Sequence, residues 1–341
     1  MTKHLPGADF IRALCTLGVV TYHFSCTLVY YGNSDFRFLY RFANGNCGLV
    51  FVTMFFMLSG ALLYRNNSDI SSYKTFYIKR WKSIFPMFYI AFLIFYIPTA
   101  IKFHSPLYLG RPWSLLLTFF GIDGYFLYKI PSYYLLGEWF LGAIILLYII
   151  YPLLLKLLSK PLMTTVIIIC LHIWQVYSDL FVIHDFSNLI SCLISFWLGI
   201  LFMKYYDNII NILNKRTVTL LIAALLPLIF VNIKPVPDNF IIHITGYILF
   251  ILLFSFGNFA MNNKIINKSC SLISYLSYAV FLLHHQILYK LLIKFTHLNF
   301  ISSVILLLIT YVLCIVSSLI LTKLCNYITA FVFGLRKSKK A

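Results

Sequence analysis

Apolar positions run in blocks of about 20 along the whole chain, broken by short polar stretches rich in lysine and arginine. The blocks lack the period-two alternation that a membrane β-barrel needs. Ten of them read as spanning helices: 8–31, 45–64, 84–103, 138–158, 161–178, 188–204, 217–234, 240–261, 271–295 and 301–323. The longest connection, 104–137, contains 113-WSLLLTFFGIDGYFLY-128, which is apolar but interrupted by Gly121, Asp123 and Gly124. That stretch predicts an interfacial or re-entrant piece, not a further span. The pattern therefore predicts an all-α fold, a polytopic membrane bundle of about ten transmembrane helices. It forms one transmembrane domain over 1–335, with a short basic tail at 336–341.

Composition agrees. Of 341 residues, 61% are hydrophobic and 11% charged, with a mean hydropathy of +0.90. Soluble chains carry about 25% charged residues. The net charge of +18 would suggest nucleic acid in a soluble protein. Here the basic residues lie between the blocks. A cytoplasmic N-terminus puts 18 of them inside and 8 outside, with Arg12 inside the first block. The positive-inside rule then predicts that both termini are cytoplasmic, and no nucleic-acid partner is expected. The eight cysteines show no Cys-x-x-Cys, and most lie within apolar blocks, where cysteine acts as a small hydrophobe. No metal site is expected.

The first block, 9-DFIRALCTLGVVTYHF-24, holds residues that are expensive in lipid. On a helix, Arg12 and His23 lie within about 20° of the same face and roughly 16 Å apart along the axis. Asp9 can pair with Arg12 one turn away. Two bland readings stand beside a functional one: Arg12 snorkelling to the interface, and His23 as a hydrogen-bonded core residue. Ser59 beside Gly60 reads most simply as a helix-packing pair. The run 79-KRWK-82 reads as ordinary loop charge, and Glu138 as an anion favoured at a helix N-terminus.

Taken together, the residues resemble acyltransferase family 3, integral-membrane acyltransferases, mostly bacterial, that modify surface glycans. Asp-x-x-Arg, ten further residues and then His in the first span look like its signature. The stretch 55-FFMLSG-60 is similar to its Phe-rich Ser-Gly stretch, and 73-YKTFYIKRWKSIFPMFY-89 to its basic loop running into Ile-x-Pro. So are 137-GEWFLGAIILLYIIYPLL-154, with its Trp and Pro, and 277-SYAVFLLHH-285, with its Ser-Tyr and His. There are departures. Ser83 stands where the family's second loop arginine belongs. Ile144 and Ile145 stand where some members have paired glutamates, and Glu138 is the only glutamate in the chain.

The resemblance implies an acyl donor, usually acetyl-CoA, taken from the cytoplasm. It implies a hydroxyl acceptor on a glycan or a lipid-linked oligosaccharide, in the membrane of a bacterial cell. Arg12, Lys79, Arg80 and Lys82 are then candidates for the donor's phosphates. His23 is the candidate general base, able to take a proton from a sugar hydroxyl as its oxygen attacks the thioester. Asp9, Ser59 and His284 join it as catalytic candidates. Glu138, Trp139, Asp123 and Tyr278 are acceptor-side candidates. A covalent acyl-enzyme route stays open. A transporter or flippase with a proton relay through His23 and His284 is the competing class; against it, the chain shows no inverted repeat and no paired broken helices.

Overall fold

In the computed structural model, the structure describes residues 4–32, 37–39, 42–108, 111–133, 135–136, 139–230 and 236–332. They form thirteen α-helices and two short 3₁₀ turns, with no strand among the described residues. In order the helices are α1 (Pro6–Tyr30), α2 (Cys47–Asn66), α3 (Tyr73–Lys102), α4 (Leu115–Phe119), α5 (Asp123–Phe126), α6 (Trp139–Leu157) and α7 (Pro161–Tyr177). There follow α8 (Leu189–Lys204), α9 (Tyr206–Ile212), α10 (Lys215–Phe230), α11 (Asp238–Ala260), α12 (Lys264–Leu292) and α13 (Phe300–Val332).

Each of the ten expected spans has its helix. Seven are long and apolar enough to cross a membrane: α1, α2, α3, α6, α11, α12 and α13. The pair α8 and α9, bent by 82°, is apolar and long enough for an eighth if the two helices form one span. The remaining two, α7 and α10, have 17 and 16 residues, or about 24–26 Å, short of a hydrocarbon core of about 30 Å. The expected interfacial piece, 113–128, is a chain of short turns that includes α4 and α5.

Starts and stops follow from local chemistry. Pro6 opens α1, where a missing N–H costs nothing. Ser72 caps α3 by accepting the Thr75 amide, so the helix begins well before the expected residue 84 and takes in the basic run. Asn188 caps α8 through the Ile190 amide. Gly121, at φ +67°, ends the α4 segment with a left-handed residue that a side chain would strain.

The chain packs as two compact units: Met1–Ile70 with Ala143–Tyr275, and Ser71–Gly142 with Leu276–Ala341. In unit 1, α1, α2, α8 and α11 enclose a core that includes Ile11, Cys15, Met54, Met57, Phe202, Phe250 and Phe254. Lipid offers no hydrophobic drive between helices, so close backbone approach carries the packing. A Cβ on Gly60 would run into the Phe196 carbonyl, and one on Gly199 into the Met57 carbonyl.

Side-chain contacts set helix direction in unit 1. The Gly7 amide donates to Asn258 Oδ1 at 2.9 Å and Phe10 packs on Phe256, so α1 starts where α11 ends. Tyr22 lies over Gly48, so α1 ends where α2 starts. Ser191 meets Asn239, and Tyr206 meets Asn258, so α8 runs parallel to α11. Unit 1 thus has an Arg12 end and an Asn239 end, separated along α11 by 19 residues, or about 28 Å.

In unit 2, α3 packs against α13 and carries a file of aromatic rings. The 104–137 connection leans on it: Tyr89 Oη donates to the Phe119 carbonyl and Tyr96 Oη to the Pro106 carbonyl, both at 2.7 Å.

Candidate active site

At the Arg12 end, four side chains form one network. Arg12 Nη1 donates to Ser274 Oγ at 3.1 Å, and Ser274 Oγ donates to Asp9 Oδ1 at 2.6 Å. The direct Arg12–Asp9 approach is longer, at 3.6 Å, so the serine hydroxyl relays the pair. The other Asp9 oxygen meets His4 Nε2 at 2.7 Å. Arg12 keeps 30% of its side chain exposed while one end of its guanidinium is tied. A planar cation held in this way offers its other N–H groups to an anion.

His23 stands on the same unbroken helix, so the spacing argument holds in the structure: one face, about 16 Å from Arg12. It is half-buried, its ring meets Tyr22 edge-on, and its carbonyl accepts the Thr27 hydroxyl at 2.7 Å. Its level is that of the first turn of α2, where Tyr22 lies over Gly48. His23 is therefore nearer the Asn239 end of unit 1 than its middle. Ser59 is half-buried on α2 beside the close packing of Gly60 against α8.

The other candidates belong to unit 2. Lys79 and Lys82 are exposed on the early turns of α3. Arg80 is half-buried, and its Nε is buried with no hydrogen-bond partner. Tyr278 Oη donates to the Ile84 carbonyl at 3.1 Å, so this hydroxyl braces α12 against α3. His284 is 1% exposed. Its Nδ1 lies 3.1 Å from the Val280 carbonyl and 2.8 Å from that of Phe281. Both are acceptors, so Nδ1 carries the ring proton and Nε2 the lone pair.

Asp123 is 3% exposed. It accepts the Thr118 hydroxyl at 2.9 Å and the Gly124 amide at 3.0 Å, one on each oxygen. Burial pushes its carboxyl above the usual range, and these two bonds oppose that shift. Its oxygens hold the 118–124 turn. Trp139 is half-buried at the first position of α6. Glu138 lies outside the described residues, as does the basic tail.

The structure thus joins Asp9 to Arg12, and Tyr278 to the start of α3 beyond the basic run. A family model described as "Acyltransferase domain", that of acyltransferase family 3, matches residues 5–323. The chain belongs to acyltransferase family 3. With its apolar helices, this makes it a multi-pass membrane acyltransferase. Neither curated proteins nor solved structures gave a match.

Two features of this family-3 acyltransferase escaped the sequence. Ser274 lies 262 residues from Arg12 and carries no charge to flag it. His172, which fits no motif, belongs to a second polar cluster at the Asn239 end.

Proposed function

We propose that this acyltransferase moves an acetyl group from cytoplasmic acetyl-CoA to a hydroxyl of a bacterial surface polysaccharide or its lipid-linked precursor. His23 is the general base. The observation that carries the reading is the tethered Arg12 guanidinium one helix face and about 16 Å below His23. CoA is anionic at its nucleotide end and thin along its pantetheine arm. Arg12 holds the phosphates, and the arm runs along α1 toward His23. In unit 2, Arg80, with a buried N–H lacking a partner, and the exposed Lys79 and Lys82 are the further donor-side candidates that the family resemblance implies. The Arg12 end of unit 1 is then the cytoplasmic end.

In the reaction, neutral His23 takes the proton of the acceptor hydroxyl as that oxygen attacks the thioester carbonyl. The C–S bond breaks, the acetyl group passes to the sugar oxygen, and the imidazolium returns the proton to the CoA thiolate. Atoms balance without metal or redox partner. The test is glycan mass spectrometry on a deletion strain. The expected result is loss of acetyl groups from one polysaccharide, restored by the wild-type chain and not by His23→Ala. An unchanged glycan, with a lipid-linked sugar stranded on one leaflet, would contradict acyl transfer and favour transport.

A further inference from the structure

The Asn239 end of unit 1 holds a cluster that the chemistry above does not use. His172 and Gln175 come from the last turns of α7, Ser191 from the first turn of α8, and Asn239 from the first turn of α11. Gln175 Nε2 donates to Asp185 Oδ1 at 3.0 Å, which fixes the orientation of the amide. The single Ser191 hydroxyl proton therefore goes to Gln175 Oε1, at 2.7 Å. With that proton spent, Ser191 Oγ can only accept: from Asn239 Nδ2 at 3.3 Å and from His172 Nδ1 at 3.4 Å.

Around Ser191 Oγ this leaves two lone-pair atoms, His172 Nε2 and Asn239 Oδ1; the His243 ring, packed on His172, turns its nitrogens to the Asn239 and Ser191 carbonyls at 2.7 and 3.0 Å. The His172 and Asn239 side chains are each 2% exposed, and neither lone-pair atom has a hydrogen-bond partner. Buried acceptors left this way are costly and call for a donor to meet them. Asp185 adds a carboxylate held in place by Gln175. On the same last turns of α7 as Gln175, Trp174 is 49% exposed and backed by Phe181, and Tyr177 is 68% exposed and backed by Phe240. An aromatic belt at the membrane surface accounts for the two exposed rings. It does not account for the amide, hydroxyl and imidazole network built behind Asp185.

The charge narrows the ligand class. In a chain of net charge +18, neither 170–191 nor 236–246 contains a lysine or arginine. Three of the nine acidic residues, Asp179, Asp185 and Asp238, belong to these stretches. An anionic ligand is disfavoured here. A neutral ligand rich in hydroxyl donors, with flat apolar ring faces, matches both the acceptors and the aromatic surfaces.

We propose that the Asn239 end of unit 1 binds the acceptor carbohydrate through neutral sugar rings. Their hydroxyls donate to Asp185, and their faces stack on Trp174 and Tyr177. The link to transfer rests on the function proposed above; the binding itself does not. The surface lies at the end of unit 1 opposite Arg12, so donor and acceptor approach α1 from its two ends.

The test uses the full-length protein in nanodiscs free of sugar-based detergent, probed on an array of neutral and uronate-containing oligosaccharides, with spermidine as a cationic control. The expected result is retention of neutral oligosaccharides over uronate-containing ones. Trp174→Ala and Asp185→Asn should each lower retention at least 10-fold, while Trp174→Phe keeps most of it. Binding of labelled acetyl-CoA should be unchanged in all three variants, which also shows that they fold. No retention above empty nanodiscs would overturn the proposal, leaving buried water to meet the orphan acceptors. So would equal retention by Trp174→Ala and Asp185→Asn, or capture of spermidine alone. Glycan binding without acetyl transfer would remove the proposed enzyme function and leave this surface standing. Transfer that is indifferent to Trp174 and Asp185 would do the reverse.

Discussion

The Arg12 end of unit 1 presents N–H donors and positive charge, and the Asn239 end presents lone pairs on segments without a lysine or arginine. Both ends are polar networks pinned by a serine hydroxyl. Ser274 accepts from a cation and donates to a carboxylate, so the cation is what remains on offer. Ser191 accepts from an amide and an imidazole and donates to an amide, so acceptors remain. One type of side chain thus sets opposite hydrogen-bonding senses, according to which neighbours consume its single proton. The contrast suits an anionic donor at one end and a hydroxylated acceptor at the other.

The largest way to break this contrast is to break the scaffold that keeps the ends apart. Gly199→Val drives side-chain atoms into the Met57 carbonyl. Overpacking against backbone costs about 1–3 kcal/mol or more. A markedly lower Tm by thermal scanning in detergent is expected, with binding lost at both ends.

Substitutions at the Arg12 end should act on one end only. Arg12→Ala removes a charged phosphate contact of about 1.5–3 kcal/mol, a rise of about 10- to 100-fold in KM for acetyl-CoA. Retention of oligosaccharide should not change. Arg12→Lys should recover part of the loss, because lysine lacks the planar fork. Arg80→Ala, in unit 2, should also raise the KM for acetyl-CoA. Equal losses in kcat with an unchanged KM would move these residues away from donor binding.

Ser274→Ala is the smallest and most specific change. It removes the relay and leaves the 3.6 Å Arg12–Asp9 pair to hold the guanidinium. The lost bonds tether Arg12 and do not touch the donor, so KM for acetyl-CoA should rise only about 5-fold, about 1 kcal/mol, with kcat unchanged. Ser274→Thr, which keeps the hydroxyl, should stay near wild type. If Ser274→Thr is as poor as Ser274→Ala in steady-state kinetics, packing and not the hydroxyl is what matters there.

Much of this was legible in the sequence. Apolar blocks marked a helix for each of the ten expected spans, and the Arg12–His23 spacing survived because α1 is unbroken. Other features were hidden for physical reasons. The basic run at 79–82 read as a loop, yet Ser72 caps it into α3. Asp123 looked available in its glycine-flanked stretch, but Thr118 and Gly124 turn it inward. The Asn239-end cluster was invisible because its residues stand in or beside three apolar blocks, His172 and Gln175 in one, Ser191 and Asn239 at two others. Only packing gathers them.

The central claim is that α1 carries the donor from Arg12 to a base at His23. Its most direct test is single-turnover transfer from labelled acetyl-CoA by His23→Gln, which keeps size and hydrogen bonding and cannot act as the base. The account predicts a loss of about 100-fold or more in the transfer step with the Kd for acetyl-CoA unchanged. Transfer at near-native rate by His23→Gln would contradict it.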